Sequence, residues 1–175
     1  LLLTAKSFMK YYPGPVSLVV HCNETVTDDA IARMNRHLPS AKIWPRRARD
    51  AIVVPYLKKK GYERCIRLRE CYVFSTRLID AFVLSDADRI MFLDSDIFSY
   101  RPLIRLHELA SRSEPINVFG KDPAAETYGM SRDQMHELFG ITDFNLHLNG
   151  GFCLVHRSVV DHQLLNDWLG VPYFP

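Results

Sequence analysis

The feature that most restricts the fold is an alternation of short apolar runs with stretches of helical periodicity. Val16-Ser17-Leu18-Val19-Val20-His21-Cys22 is nearly continuous in apolar, mostly β-branched residues. Such a run suits a strand buried on both faces of a mostly parallel sheet. Lys42-Ile43-Trp44, Arg89-Ile90-Met91-Phe92-Leu93, Ile116-Asn117-Val118-Phe119 and Phe152-Cys153-Leu154-Val155 read as further strands. Helices are predicted between them. One opens the chain and stops before Tyr12-Pro13-Gly14-Pro15, a breaker cluster. Thr27 is placed as the N-cap of a second, which reaches about residue 38. The longest predicted helix covers 63–84, with Ile66, Tyr72, Val73, Leu78, Ile79 and Phe82 on one buried face. Pro102 opens another to about 109, Ser131 caps a short one ending at Gly140, and the last covers about 158–169. Strands alternating with helices predict an α/β fold, a mostly parallel sheet flanked by helices.

Composition narrows the function classes. A length of 175 residues argues for one domain, and 47% hydrophobic content supplies a core for it. The net charge of +2 is too mild to imply nucleic acid as a partner. The basic cluster Arg46, Arg47, Arg49, Lys58, Lys59 and Lys60 reads first as a solvated face. Its second reading is a contact with anionic phosphates or a peripheral contact with a membrane surface. Cys22, Cys65, Cys71 and Cys153 form no CxxC pair, and buried free thiols in a reducing, cytoplasmic setting account for them most simply. No apolar run approaches the ~18 residues of a spanning helix. The chain lacks an initiator Met, opens in what reads as a helix under way, and stops just after another. An excerpt (1–175) of a longer domain is therefore expected.

Asp94-Ser95-Asp96 follows its strand directly, and ligands of α/β sheets bind outside the carboxyl ends of strands. The period of two in extended chain can aim Asp94 and Asp96 to one side. Two neighbouring carboxylates repel unless a cation sits between them. Mg²⁺ or Mn²⁺ suits such hard oxygens and keeps positions open for water and substrate phosphates. The competing reading is a turn, since Asp and Ser are common after strands. The apolar flanks, with Ile97-Phe98 after the triplet, favour an acidic pair kept within the fold, where unpaired charge is costly.

Three stretches together resemble glycosyltransferase family 8 and related GT-A glycosyltransferases. They are Ser75-Thr76-Arg77-Leu78, the run from Ser85 through Asp94-Ser95-Asp96-Ile97, and Leu148-Asn149-Gly150-Gly151-Phe152. The family pattern places a helix carrying an Arg-Leu pair before a strand ending in D-x-D, and an N-[SAG]-G segment at the opening of a later strand. The resemblance implies a nucleotide-sugar donor, usually a UDP-sugar, Mn²⁺ or Mg²⁺, and a saccharide or other hydroxyl acceptor. By that match Asp94 and Asp96 are metal ligands, and Ser95 lies against the ribose or sugar. Arg77 meets the sugar or diphosphate, where its always-charged planar fork suits oxygen acceptors. On helical spacing alone, Arg77 equally suits a surface ion pair with Asp80 at i+3. Asn149, Gly150 and Gly151 line the donor pocket by the same match, and Asp122 is the candidate acceptor contact. The family's first strand and its late His-x-x-Gly-x-x-Lys segment are not found in 1–175. None of His136, His147, His156 and His162 stands in that context.

Two other classes fit in part. A haloacid-dehalogenase-type phosphotransferase also sets Asp-x-Asp after a buried strand and uses the first Asp as nucleophile. It requires Thr or Val two positions after the second Asp, where this chain has Phe98. A non-catalytic sugar- or metal-binding domain of the transferase fold is the third. In the 120–145 stretch, Tyr128, Met130, Phe139 and Phe144 are available to pack on a sugar face or on local neighbours.

Overall fold

The computed structural model describes residues 1–122, 131–142 and 147–170. Helix α1 (Leu2–Tyr11) leads to β1 (Val19–His21), α2 (Asp28–His37) and β2 (Lys42–Trp44). Helices α3 (Arg46–Lys60), α4 (Glu63–Cys71), α5 (Ser75–Leu78) and α6 (Asp80–Val83) then precede β3 (Arg89–Leu93). Helix α7 (Ile104–Ala110), β4 (Val118–Lys121), α8 (Arg132–Phe139), β5 (Leu148–His156) and α9 (His162–Trp168) complete the order. Several boundaries follow directly from local chemistry. The Thr27 side chain accepts from the Ala30 N–H at the start of α2. Ser131 and Gln134 form a reciprocal capping box on α8, and Gly140 ends it in the left-handed region at φ 65°. Helix α3 ends the same way at Gly61, φ 74°.

The fold is mixed α/β, but the mostly parallel sheet is not what forms. β1 and β2 make a parallel pair, the outcome expected when α2 crosses over between them. The second sheet has the order β3-β5-β4, and both of its pairings are antiparallel. β3 and β4 therefore run parallel to each other, as two strands joined through α7 should. β5 returns from the other direction and inserts between them. A short apolar run carries no information about strand direction, so this insertion was invisible in the pattern. β5 also covers nine residues, more than the four read as strand.

The long helix predicted over 63–84 breaks into three pieces. Tyr72 is extended at φ −135°, ψ 106°, and the Ser75 N–H closes a turn on the Tyr72 carbonyl. Tyr72, Val73 and Phe74 are consecutive poor helix formers, and all three side chains lie outward. Tyr72, Val73 and Leu78, expected on the buried face, are exposed, whereas Ile66, Ile79 and Phe82 are buried. The cause is Asp80. It is 0% exposed, and α6 turns so that Arg49 and Arg69 can reach it.

Among the described residues, three apolar clusters fill the interior. Val53, Leu57, Cys65, Ile66 and Ile79 join α3, α4 and the α5–α6 junction, with Leu165 and Leu169 against them. Ala81, Phe82, Cys153 and Val155 seat α6 on β5, with Ile90 and Phe92 of β3 alongside. Val20, Cys22 and Met34 pack α2 on the parallel pair, with Leu2 of α1 closing that side. Cys22, Cys65 and Cys153 are buried free thiols, as expected, and Cys71 is an exposed one. No helix among the described residues is long and apolar enough to cross a membrane.

The basic cluster is only partly a solvated face. Arg49 is 2% exposed and Arg69 4%. Arg49 donates to Asp80 at 2.6 Å, to the Cys22 carbonyl at 2.6 Å and to Thr76 at 3.2 Å. Arg69 donates to Asp80 through Nε at 2.6 Å and Nη2 at 2.8 Å, and to Asp50 at 2.7 Å. Arg46 holds Asp50 from the other side at 3.0 Å. Buried charge survives only when paired and hydrogen-bonded in this way.

Candidate functional site

β3 ends at Leu93, opposite Phe152 of β5. One step further on, the Asp94 N–H donates to the Gly151 carbonyl at 2.7 Å. The chain then turns, with the Ile97 N–H on the Asp94 carbonyl at 3.2 Å. The turn expected as the competing reading of Asp94-Ser95-Asp96 therefore forms. Helix α1 pins this turn. Buried Thr4 donates its hydroxyl to the Ser95 carbonyl at 2.5 Å, and the Ser99 N–H donates to Ser7 Oγ at 3.1 Å. Ser95 and Asp96 are exposed, and Asp94 is half-exposed.

Arg77 reaches Asp94 from α5. Its Nη2 pairs with Asp94 Oδ1, and its Nη1 donates to the Gly150 carbonyl at 2.5 Å. The i+3 ion pair with Asp80 does not form, because Asp80 is already committed to Arg49 and Arg69. Arg77 sits between two anchored neighbours: Thr76 is bonded by Arg49, and Asp80 by both buried arginines. Its guanidinium also lies over the Phe74 ring, 5.3 Å from the centroid.

The Asn149-Gly150-Gly151 segment opens β5 at an irregularity. β4 pairs Phe119 with Cys153, then jumps to pair Gly120 with Asn149. Bulges of this kind redirect backbone groups and recur beside active sites. This one leaves the Gly150 carbonyl for Arg77 and the Gly151 carbonyl for Asp94. The Asn149 side chain accepts from the Gly151 N–H at 2.7 Å and donates to Asp122 Oδ2 at 3.3 Å. The Asp122 N–H and carbonyl in turn contact His147, at 2.8 and 3.1 Å. Glycine at 151 keeps the Asp94 carboxylate in place: a Cβ there would lie 2.4 Å from Asp94 Oδ2 and force that side chain to move. Beneath the bulge, burial pushes the Cys153 thiol pKa up, which leaves it a packing group.

Arg77, Asp94, Asn149, Gly150, Gly151 and Asp122 therefore belong to one connected cluster, drawn from four well-separated stretches. Ser95 stands next to it in the chain, and its carbonyl is held by Thr4 of α1 rather than by the cluster. Tyr128, Met130 and Phe144 lie outside the described residues. Phe139 packs on Trp168, with ring centroids 5.5 Å apart. Helix α1 was expected, but its hold on the acidic turn through Thr4 and Ser7 was not, nor were the arginines that anchor α5. One signal for the latter was available. Asp80 stands alone in Leu78-Ile79-Asp80-Ala81-Phe82-Val83-Leu84, and a single acid in an apolar run points to a buried, partnered carboxylate.

The donor set suits a hard divalent cation only in part. Among the described residues, no three His, Cys, Asp or Glu side chains gather as a metal cluster. Asp94 and Asp96 supply carboxylate oxygens from one turn, and no hydrogen bond or ion pair to Asp96 forms among the described residues. Two protein carboxylates completed by water and substrate phosphates are the usual environment of Mg²⁺ at phosphate-transfer sites. Comparison with known proteins adds no relative: no family model, no curated protein and no solved structure matches the chain.

Proposed function

We propose that this chain carries the metal–diphosphate corner of a glycosyltransferase of the GT-A type, acting on a nucleotide sugar such as a UDP-sugar and an acceptor hydroxyl. The observation that carries the proposal is the convergence of Arg77, Asp94 and Gly150-Gly151 at the carboxyl end of β3. These residues come from the three stretches on which the family resemblance was drawn; strand pairing brings Asp94 to Gly151, and the Arg77 side chain joins them. In the proposed site Asp94 and Asp96 hold Mn²⁺ or Mg²⁺, which supplies Lewis-acid stabilisation of the leaving diphosphate. Arg77 adds a fixed positive charge for the same oxygens. Gly151 leaves room for the Asp94 carboxylate against the strand backbone, and Gly150 contributes its carbonyl to Arg77. Asn149 and Asp122 carry the polar rim towards the acceptor hydroxyl. The engagement of Asp94 by Arg77 and Gly151 favours a ligand role over the nucleophile of a phosphotransferase.

The test is calorimetric titration of UDP into the protein with Mn²⁺ present. Saturable, Mn²⁺-dependent binding that Asp94→Ala abolishes supports the reading. No binding by the wild-type protein, or phosphatase activity lost on Asp94→Asn, overturns it.

A further inference from the structure

We infer that Arg77 is a latch on the cation site: it neutralises Asp94 while no cation is bound, and yields that carboxylate when a divalent cation binds. This inference rests on the metal–diphosphate reading above and names how that site is regulated. Asp94 Oδ1 pairs with Arg77, and Oδ2 faces Gly151, where the missing side chain leaves it room. The Gly151 side is strand backbone fixed by β3 and β5. A cation that takes Asp94 through Oδ1 must displace Arg77, and one that takes Oδ2 must share the carboxylate with the guanidinium and its charge. Arg77 is built to move while its backbone is not. Thr76 and Asp80, on either side of it, are tied to Arg49, but the Arg77 side chain is 27% exposed. Its second contact is a single carbonyl, Gly150 O, and its stacking partner Phe74 is itself exposed. Asp96, one residue from Ser95 on the same turn, has no partner among the described residues and gives a cation its first foothold. Once off Asp94, the guanidinium is free to pair with diphosphate oxygens, which an arginine fork matches well. The latch thus opposes binding of the bare cation and favours the cation with its diphosphate, so the empty site holds little metal.

The test separates the two ligands. Free Mn²⁺ is titrated by electron paramagnetic resonance, and UDP by calorimetry at saturating Mn²⁺, on wild type, Arg77→Gln, Arg77→Lys and Asp94→Asn. Removing one positive charge a few ångströms from a dication in a water-like dielectric changes its affinity by about tenfold. Arg77→Gln is therefore expected to bind Mn²⁺ alone about tenfold more tightly and UDP about tenfold more weakly. Arg77→Lys keeps the charge and stays near wild type for Mn²⁺, and Asp94→Asn loses Mn²⁺ binding. Opposite signs for the two ligands cannot come from general loosening of the fold, which weakens both. If wild type binds Mn²⁺ and UDP but Arg77→Gln binds Mn²⁺ no more tightly, the latch is wrong and the donor-site reading stands. If neither wild type nor Arg77→Gln binds Mn²⁺, both are wrong.

Discussion

Replacing Gly151 by alanine tests the geometry of the site more directly than removing a charge. The added methyl would lie 2.4 Å from Asp94 Oδ2, 3.1 Å from Asp94 Cγ and 2.9 Å from Asn149 Oδ1. Contacts under 3.0 Å are not tolerated, so something must shift. The backbone cannot, because Gly151 sits in the central strand and its carbonyl holds Asp94. The Asp94 carboxylate must rotate instead, out of its pair with Arg77. Loss of that half-exposed pair costs up to about 1 kcal/mol. A side chain forced off its rotamer costs about 1 kcal/mol more. Alanine also restricts the unfolded chain, which returns about half a kcal/mol. The net destabilisation is at most about 1.5 kcal/mol, a fall in melting temperature of a few degrees for a chain this long. The protein therefore stays folded while the site is displaced, and UDP–Mn²⁺ affinity should drop by at least tenfold. Gly150→Ala is the matched control. Its Cβ would find only Arg77 Nη1, at an ordinary 3.6 Å, so affinity and stability should hold. Calorimetry and thermal melts on both variants read the two effects separately. Gly151→Ala binding within twofold of wild type, or Gly150→Ala as damaging as Gly151→Ala, would refute the reasoning.

Other outcomes follow from the interior. Asp80→Ala strands Arg49 and Arg69 without their shared carboxylate, and breaking such a buried pair costs about 3–5 kcal/mol. Urea unfolding should register it, and a loss under 1 kcal/mol would show that the cluster contributes little. Burial, reinforced by nearby Arg49, lowers the His21 pKa from 6.5 to about 4. The unfolded chain therefore takes up a proton near pH 6.5 that the folded chain refuses, and stability falls as pH drops from 6.5 towards 4. The loss is at most about 3 kcal/mol. His21→Gln should flatten that part of the stability–pH curve, and a curve parallel to wild type would exclude His21 as its source. Thiol titration of the native protein at pH 8 should find one fast group, exposed Cys71. Cys65, pushed up to about 11 by burial, and the two other buried thiols should react only on unfolding.

What the sequence disclosed was what local chemistry decides. Thr27, Ser131 and Gly140 mark helix ends because a cap needs only neighbouring backbone, and β3 was read to its ends because Arg89 to Leu93 is bounded by turn formers. The residues of the candidate site were also legible, as separate short patterns. What joins them was not. The direction of β5 is a choice between pairings, and nothing in Phe152-Cys153-Leu154-Val155 distinguishes them. The helix over 63–84 failed because apolar spacing was counted without Asp80, whose burial reorients the chain more strongly than three exposed apolar side chains can resist. The partner of Arg77 was likewise set by competition. At helical spacing Asp80 is the nearer acid, but two other arginines already occupy it, and Arg77 is left to Asp94.

The insertion of β5 between β3 and β4 also orders events in time. Asp94 meets Gly151 at a sequence separation of 57, and Arg77 meets Gly150 at one of 73. Closing loops of that length is slow compared with forming helices. The acidic turn, the bulge and the arginine can come into register only after the central strand has docked. A ligand of this cluster would thus report completion of the sheet, and a refolding experiment followed by ligand binding should lag one followed by helix content.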